Sequence, residues 1–212
     1  MEATYLGHYG DDLTVANAAR VSFGKRKEVF DSKDERLIKF LARENHIIPF
    51  AHPQVSFHFK APIFVARQLA KHQVGFAWSE ISRRYVKNDP ELYIPEVLRK
   101  GSADIKQGSL DEEVEDHYVQ KPAYAIAAAA ALNAYRKALE AGVCPEQARG
   151  LLPQTAYTEW HWTGSLLGWS RVWNLRVKPD AQRETREVVE KIGLTMARLF
   201  PVCWEALTNG AD

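Results

Sequence analysis

Apolar positions along this chain recur at two different periods, and the changes of period divide it. Leu37, Ile38, Leu41 and Ala42 fall on one helical face, with Lys39 and Arg43 elsewhere. Ser32 and Asp34 offer N-caps for that helix, which is predicted to run through Glu44. Between Ile47 and Lys60 the period drops to two. Val55, Phe57 and Phe59 alternate with Ser56, His58 and Lys60, the pattern of a strand with one buried face. Pro49 and Pro53 bracket His52 and hold it extended or in a turn. Pro62 suits the first turn of the helix that follows. That helix carries Arg67, Gln68, Lys71 and His72 beside its apolar positions. The chain then alternates again, with Glu80, Ser82 and Arg84 on one side of an extended piece.

The other segments give a helix-rich reading. Residues 1–23 open as a polar-aromatic segment, with Leu13 to Ser22 as a short strand and turn or a first helical turn. Residues 24–35 are loop-like. Glu91 to Glu115 is polar and punctuated by Pro95, Gly101 and Gly108, a surface excursion with short helical pieces. The alanine run from Val119 to Ala141 predicts a helix that Gly142 ends. Pro145 starts a short helix that stops before Pro153. Trp162, Leu166, Trp169 and Trp173 are at helical spacing and predict a helix from Thr158 to Asn174. Pro179 or Asp180 opens a last helix to about Phe200, with Arg183, Arg186, Glu187 and Glu190 solvated. Strands do not alternate regularly with helices, so the prediction is α+β rather than a doubly wound parallel sheet. The chain, 1–212, is read as a single domain.

Composition narrows the function. Formal net charge is +1, so there is no global basic field of the kind nonspecific nucleic-acid binders carry, and any anion site is local. No apolar run approaches the length of a membrane span, and the opening MEATYLGHYGDD lacks the pattern of a signal peptide. Cys144 and Cys203 lack metal-type spacing and read as two buried small hydrophobes in a reduced cytoplasmic protein. No histidine has acidic or cysteine partners at ligand spacing, so no metal is expected. The phosphate loops G-x-G-x-x-G and G-x-x-x-x-G-K-[ST] are missing, so a nucleotide is not held in either of those ways.

The segment from Ala61 to Tyr85 concentrates cations and hydrogen-bonding groups beside apolar surface. Arg67 and Lys71 are i,i+4, as are Gln68 and His72. A shared anion would relieve the repulsion of the two cations; the plainer reading is that both reach water. Ser82 and Arg84 make a natural phosphate clamp, since a guanidinium takes two phosphate oxygens at once. Ser82 as an acylating nucleophile is less attractive, because no G-x-S-x-G elbow surrounds it. Arg149, at an apolar helix end, and Arg176, just after an aromatic helix, read as structural ion-pair arginines by default and as ligands of a distant anion otherwise.

These residues carry a resemblance. The segment FAHPQVSFHFKAPIFVARQLAKHQVGFAWSEISRRY resembles the flavin-dependent thymidylate synthases, whose pattern is R-H-R, a spacer, then N-E-x-S-x-R-Y. Here it reads Lys71-His72-Gln73, a spacer, then Ser79-Glu80-Ile81-Ser82-Arg83-Arg84-Tyr85. ARVSF at Ala19 to Phe23, ARGLLP around Arg149 and the W-T…N-L-R run from Trp162 to Arg176 extend it over most of the chain. The chain departs from the pattern at Lys71 and Gln73, at Ser79, in a spacer one residue longer, at Arg171 where an asparagine is common, and at Asp180 where a histidine is common.

The resemblance implies the thymidylate synthase-complementing fold, mainly helical with a central, mostly antiparallel sheet. It implies a cytoplasmic homotetramer (in host cytoplasm if phage-encoded) with active sites between subunits. It implies methylation of dUMP to dTMP, with 5,10-methylenetetrahydrofolate as carbon donor and FAD reduced by NADPH. Carried over by position, Gln68, Lys71, Glu80, Ser82, Arg83, Arg84, Arg149 and Arg176 hold dUMP, with Arg149 from another subunit. Arg176 faces the uracil ring. Ser22, Lys71, His72, Gln73, Glu80, Ser165, Arg171 and Leu175 lie along FAD, and His52 sits near the flavin and the folate. Arg176, Ser82 and His52 form the implied catalytic set. Two other readings stand beside this one. The first is a homologue acting on dCMP or hydroxymethylating its pyrimidine, motivated by Gln73, Ser79 and Arg171. The second is a nucleotide-binding protein without flavin chemistry. A nucleic-acid binder is disfavoured by the net charge.

Overall fold

The alternation at Val55, Phe57 and Phe59 does form a strand, and the rest of the sheet is laid against it. The computed structural model describes residues 1–102 and 108–209. Strand β1 (Glu2–Tyr9) pairs antiparallel with β2 (Gln54–Pro62). β2 pairs antiparallel with β4 (Tyr157–Ser165), and β3 (Phe76–Glu80) lies outside β4, giving the order β1-β2-β4-β3. Around the sheet lie α1 (Asp12–Arg20), α2 (Ser32–Arg43), α3 (Ile63–Leu69), α4 (His117–Glu140), α5 (Pro145–Ala148), α6 (Leu166–Arg176), α7 (Arg183–Leu199) and α8 (Pro201–Thr208). This is the expected α+β architecture, helix-rich with an antiparallel sheet.

One face of the sheet makes the core. Phe57 stands opposite Trp162 and Phe59 opposite Trp160 across β2 and β4. Phe59 stacks on Trp160 at 5.2 Å, and Trp160 stacks in turn on Trp78 at 4.5 Å. Trp169 of α6 closes edge-on over Phe57 at 5.1 Å, and its indole N–H donates to the Val55 carbonyl at 3.0 Å. Each such aromatic pair adds roughly 0.5–1.5 kcal/mol beyond its area. Val188, Val189, Ile192 and Met196 of α7 complete the buried layer.

Several expectations give way. Residues 158–174 are not one helix. β4 runs to Ser165, whose hydroxyl accepts from Gly168 N–H at 3.1 Å and starts α6. The i+4 spacing from Trp162 to Leu166 joins a strand position to a helix position by coincidence; the two-residue period of Trp160 and Trp162, both buried, is the operative one. Near the start, the helical of the two readings for Leu13 to Ser22 holds, in α1, opened by a capping box between Asp11 and Thr14, and the strand lies earlier, as β1. The cap of α2 is Asp31, whose carboxylate accepts from Lys33 and Asp34 N–H, rather than Ser32 or Asp34. The final helix starts at Arg183 and breaks at Phe200–Pro201. Asp12 bridges that break from α1, accepting from Val202 and Cys203 N–H at 2.8 and 3.0 Å. No helix forms in the described part of the 91–115 excursion, which is tied by a bridge between Arg99 and Glu113; residues 103–107 lie outside the described residues. Cys203 is buried, but Cys144 is an exposed free thiol. Among the described residues, no helix is long and apolar enough to cross a membrane.

Candidate active site

Two corrections of local structure decide where the polar residues go. Helix α3 stops at Leu69, so Lys71 and His72 lie in the turn beyond it, and neither i,i+4 pair is completed on a helix. Gly75, at φ 81°, turns the chain from there into β3, a conformation most side chains avoid. At the other end β3 stops at Glu80. Residues 82–85 form a turn, with Tyr85 and Val86 N–H both donating to the Ser82 carbonyl, rather than an extended piece.

That turn forms one wall of a cavity of about 450 Å³. Glu80, Ser82, Arg83, Arg84 and Arg149 all line it. Arg83 is anchored on the Asn88 carbonyl at 2.7 Å, and Arg84 faces Glu146 at 3.8 Å. Arg149 reaches the cavity from the short helical turn after α5 and forms no ion pair among the described residues. The resemblance assigns Arg149 to a second subunit, yet the same chain's Ser82 and Arg84 share its cavity. Glu80 is fixed from the sheet: Thr158 Oγ1 donates to Oε1 at 2.6 Å and the Trp78 indole to Oε2 at 3.2 Å. Three arginines, a hydroxyl and a held carboxylate suit a phosphate joined to a group with hydroxyls.

A second cavity, of about 620 Å³, shares no lining residue with the first, and a cavity of about 470 Å³ shares Tyr157 with the first and Arg99 and Arg183 with the second. Gln68, Leu175, Arg176 and Asp180 line the second. Gln68 Oε1 is buried with no hydrogen-bond partner. Arg176 donates through Nε to His72 Nε2 at 2.9 Å. Burial, and then the guanidinium, lower the His72 pKa to about 4, so the ring is neutral and carries its proton on Nδ1. Burial also lowers the pKa of Arg176.

The remaining expected residues are spread around these cavities. His52 lines a further cavity of about 320 Å³ with Tyr9, Asn17 and Val21; Ser22, next in the chain, is exposed and does not line it. Lys71, Gln73 and Arg171 are exposed; Lys71 and Arg171 form no ion pair among the described residues. Ser165 is buried, its hydroxyl engaged as the cap of α6. Among the described residues, no group of three or more His, Cys, Asp or Glu is arranged to hold a metal.

Comparison with known proteins decides the family. Residues 5–202 match the family described as thymidylate synthase complementing protein. The chain belongs to that family. The flavin-dependent thymidylate synthase of Thermosipho africanus is 37% identical over 90% of this chain and 82% of its own. One from Thermus thermophilus is 39% identical over 93% of this chain and 72% of its own. Among solved structures, the UMP/dUMP methylase PolB of Streptomyces cacaoi bound with 5-Br dUMP superposes with a TM-score of 0.86 at 29% identity, covering 98% of this chain and 94% of PolB.

For a thymidylate synthase complementing protein, sequence reasoning misses the residues that support the site. Thr158 escapes because the spacing of its segment predicts a helix, in which it would not stand diagonally from Glu80. Arg99, Ser109 and Gln182, which line the second cavity with Arg176, give no signal, because they come from the excursion and from the start of α7.

Proposed function

We propose that this chain is a flavin-dependent thymidylate synthase. It methylates dUMP at C5 to give dTMP, with carbon from 5,10-methylenetetrahydrofolate and reducing equivalents from NADPH by way of FAD. The observation that carries the reading is Gln68, which lines a cavity with Arg176 and whose Oε1 has no hydrogen-bond partner. An unpaired buried acceptor costs about 1–3 kcal/mol. The uracil edge, an N–H flanked by carbonyls, pairs with the Gln68 amide once that amide turns to the cavity, and presents a carbonyl to Arg176. Arg176 then stabilises negative charge as it develops on the ring, while neutral His72 keeps the guanidinium oriented. Ser82, Arg84 and Arg149 hold the phosphate, and Arg83 and Lys71 add cations around it.

The chain's donors fit FAD. Lys71 and Arg171, exposed and without carboxylate partners among the described residues, are free for a pyrophosphate, and Ser22 and Gln73 offer hydrogen bonds. The flavin, when bound, supplies the hydride. No side chain is needed as a covalent nucleophile.

The division of these residues between two cavities fits an active site built between subunits of a homotetramer, with Ser82, Arg84 and Arg149 from one chain and Gln68 and Arg176 from another. Exposed Tyr118, Val119 and Ile126 on α4 offer apolar surface for such packing. The exposed thiol of Cys144 suits a reducing cytoplasm.

The test supplies dUMP, UMP and dCMP separately to protein loaded with FAD, with methylenetetrahydrofolate and NADPH, and identifies products by mass spectrometry. Methylated dUMP is expected. A product from dCMP alone, or a hydroxymethylated one, would overturn the reading, as would protein that binds dUMP but never becomes yellow with FAD.

A further inference from the structure

The end of the sheet holds a carboxylate in an unusual setting. Glu80 is the last residue of β3 and stands opposite Trp160 on β4. Its neighbours on that face are therefore aromatic: Trp78 two residues back on its own strand, and Trp160 across. Trp78 and Trp160 stack at 4.5 Å. Thr158 is the diagonal neighbour on the same face, two residues from Trp160 along β4. It is 5% exposed, so its hydroxyl has little access to water. The hydroxyl donates to Glu80 Oε1 at 2.6 Å, and the Trp78 indole donates to Oε2 at 3.2 Å. Each carboxylate oxygen thus has a protein donor on the sheet side and lone pairs left on the cavity side. Glu80 and Thr158 both line the cavity that holds Ser82, Arg84 and Arg149.

We infer that Thr158 is a positioning residue for substrate: its hydroxyl, with the Trp78 indole, fixes Glu80 as an acceptor for a sugar hydroxyl of the nucleotide whose phosphate the neighbouring arginines hold. The inference rests on the nucleotide reading given above. It adds a residue outside the motif and a defined task for it. An unheld glutamate at this exposed strand end would sample several rotamers and would be drawn toward the arginines of the cavity. Two donors from the sheet oppose both, so the acceptor is in place before the nucleotide arrives.

The test measures dUMP affinity calorimetrically on full-length protein loaded with FAD, in a double-mutant cycle. Thr158→Val keeps the shape and removes the hydroxyl. It should weaken dUMP binding roughly tenfold, the scale of one charge-assisted hydrogen bond, while Thr158→Ser stays near wild type. In a Glu80→Ala background, where the hydroxyl has no side chain left to hold, Thr158→Val should cost little more. A valine variant that binds dUMP as well as wild type overturns the inference, as does an equal loss in both backgrounds, which marks a purely structural role. Those outcomes leave the nucleotide reading intact if Glu80→Ala itself weakens binding. If Glu80→Ala binds dUMP unchanged, the sugar assignment of this cavity fails and the role of Thr158 with it. Should the valine variant not fold, Trp78→Phe removes the second donor and is taken through the same cycle, where each outcome carries the same meaning.

Discussion

Arg176 Nε donates to His72 Nε2 at 2.9 Å, joining the end of α6 to the turn that follows α3. The bond needs a bare Nε2. The half-buried ring meets that need, its pKa lowered to about 4 by burial and then by the guanidinium. The unfolded chain takes up the same proton near the ordinary value of 6.5. Between about 4 and 6.5 the unfolded state therefore binds more protons, so this group makes stability rise with pH through that window and leaves it level above. Denaturant unfolding at about pH 5 and about pH 7.5, inside and above that window, checks this. His72→Gln, which cannot titrate, should reduce the difference by roughly 1 kcal/mol, the linkage value discounted for partial exposure. Equal differences in variant and wild type would remove His72 as the source.

Arg176→Ala tests the other partner. The side chain is half-buried over a cavity rather than packed in the core, so the fold and FAD binding should persist. Turnover should fall by on the order of a hundredfold, the loss typical of one preorganised donor at a developing charge, and dUMP should bind more weakly. Unchanged turnover in a steady-state assay would refute the ring-polarising role. Arg176→Lys should recover little, because an ammonium cannot offer Nε to His72 and its other nitrogens to a ligand.

Legibility follows the reach of the signal. Val55, Phe57 and Phe59 announce a strand because β2 is central and buries one whole face, so alternation is complete. β1 does not, because it is an edge strand with Leu6 and Tyr9 exposed and its alternation is blurred. The pattern makes α3 too long, since Lys71 and His72 keep the helical spacing and only the positive φ at Gly75 marks the turn. For the site, the motif names Ser82, Arg84, Arg149 and Arg176 one by one. Their division into two cavities is invisible there, because spacing along a chain does not say which distant residues face the same space.

Asp12 illustrates a residue whose weight only the fold reveals. It sits in the first turn of α1, and its 7%-exposed carboxylate accepts from the first free N–H groups of α8, 190 residues away in sequence. Asp12→Ala should cost about 1–2 kcal/mol, the value of a strong N-cap, read as a lower denaturation midpoint at unchanged m-value. Because Asp12 lines none of the cavities described above, dUMP affinity measured below the transition should stay at the wild-type level.

The two cavities make the strongest demand on assembly. Arg149 lines one and Arg176 the other, and no residue is shared between them. If one active site draws the phosphate clamp from one chain and the ring-facing arginine from another, Arg149→Ala and Arg176→Ala damage different halves of it. Each homo-oligomer should be nearly inactive, since every site lacks one half. When the two are unfolded together and refolded as a mixture, a site formed from the Arg149 of one variant and the Arg176 of the other is intact. Random assortment makes roughly a quarter of all sites intact in a closed symmetric oligomer. Turnover of the mixture should therefore rise to roughly that share of wild type, while mixing the native proteins without exchange should give nothing. A mixture no more active than its parents, with exchange verified by mass spectrometry of tagged chains, would mean that both arginines serve a site within one chain.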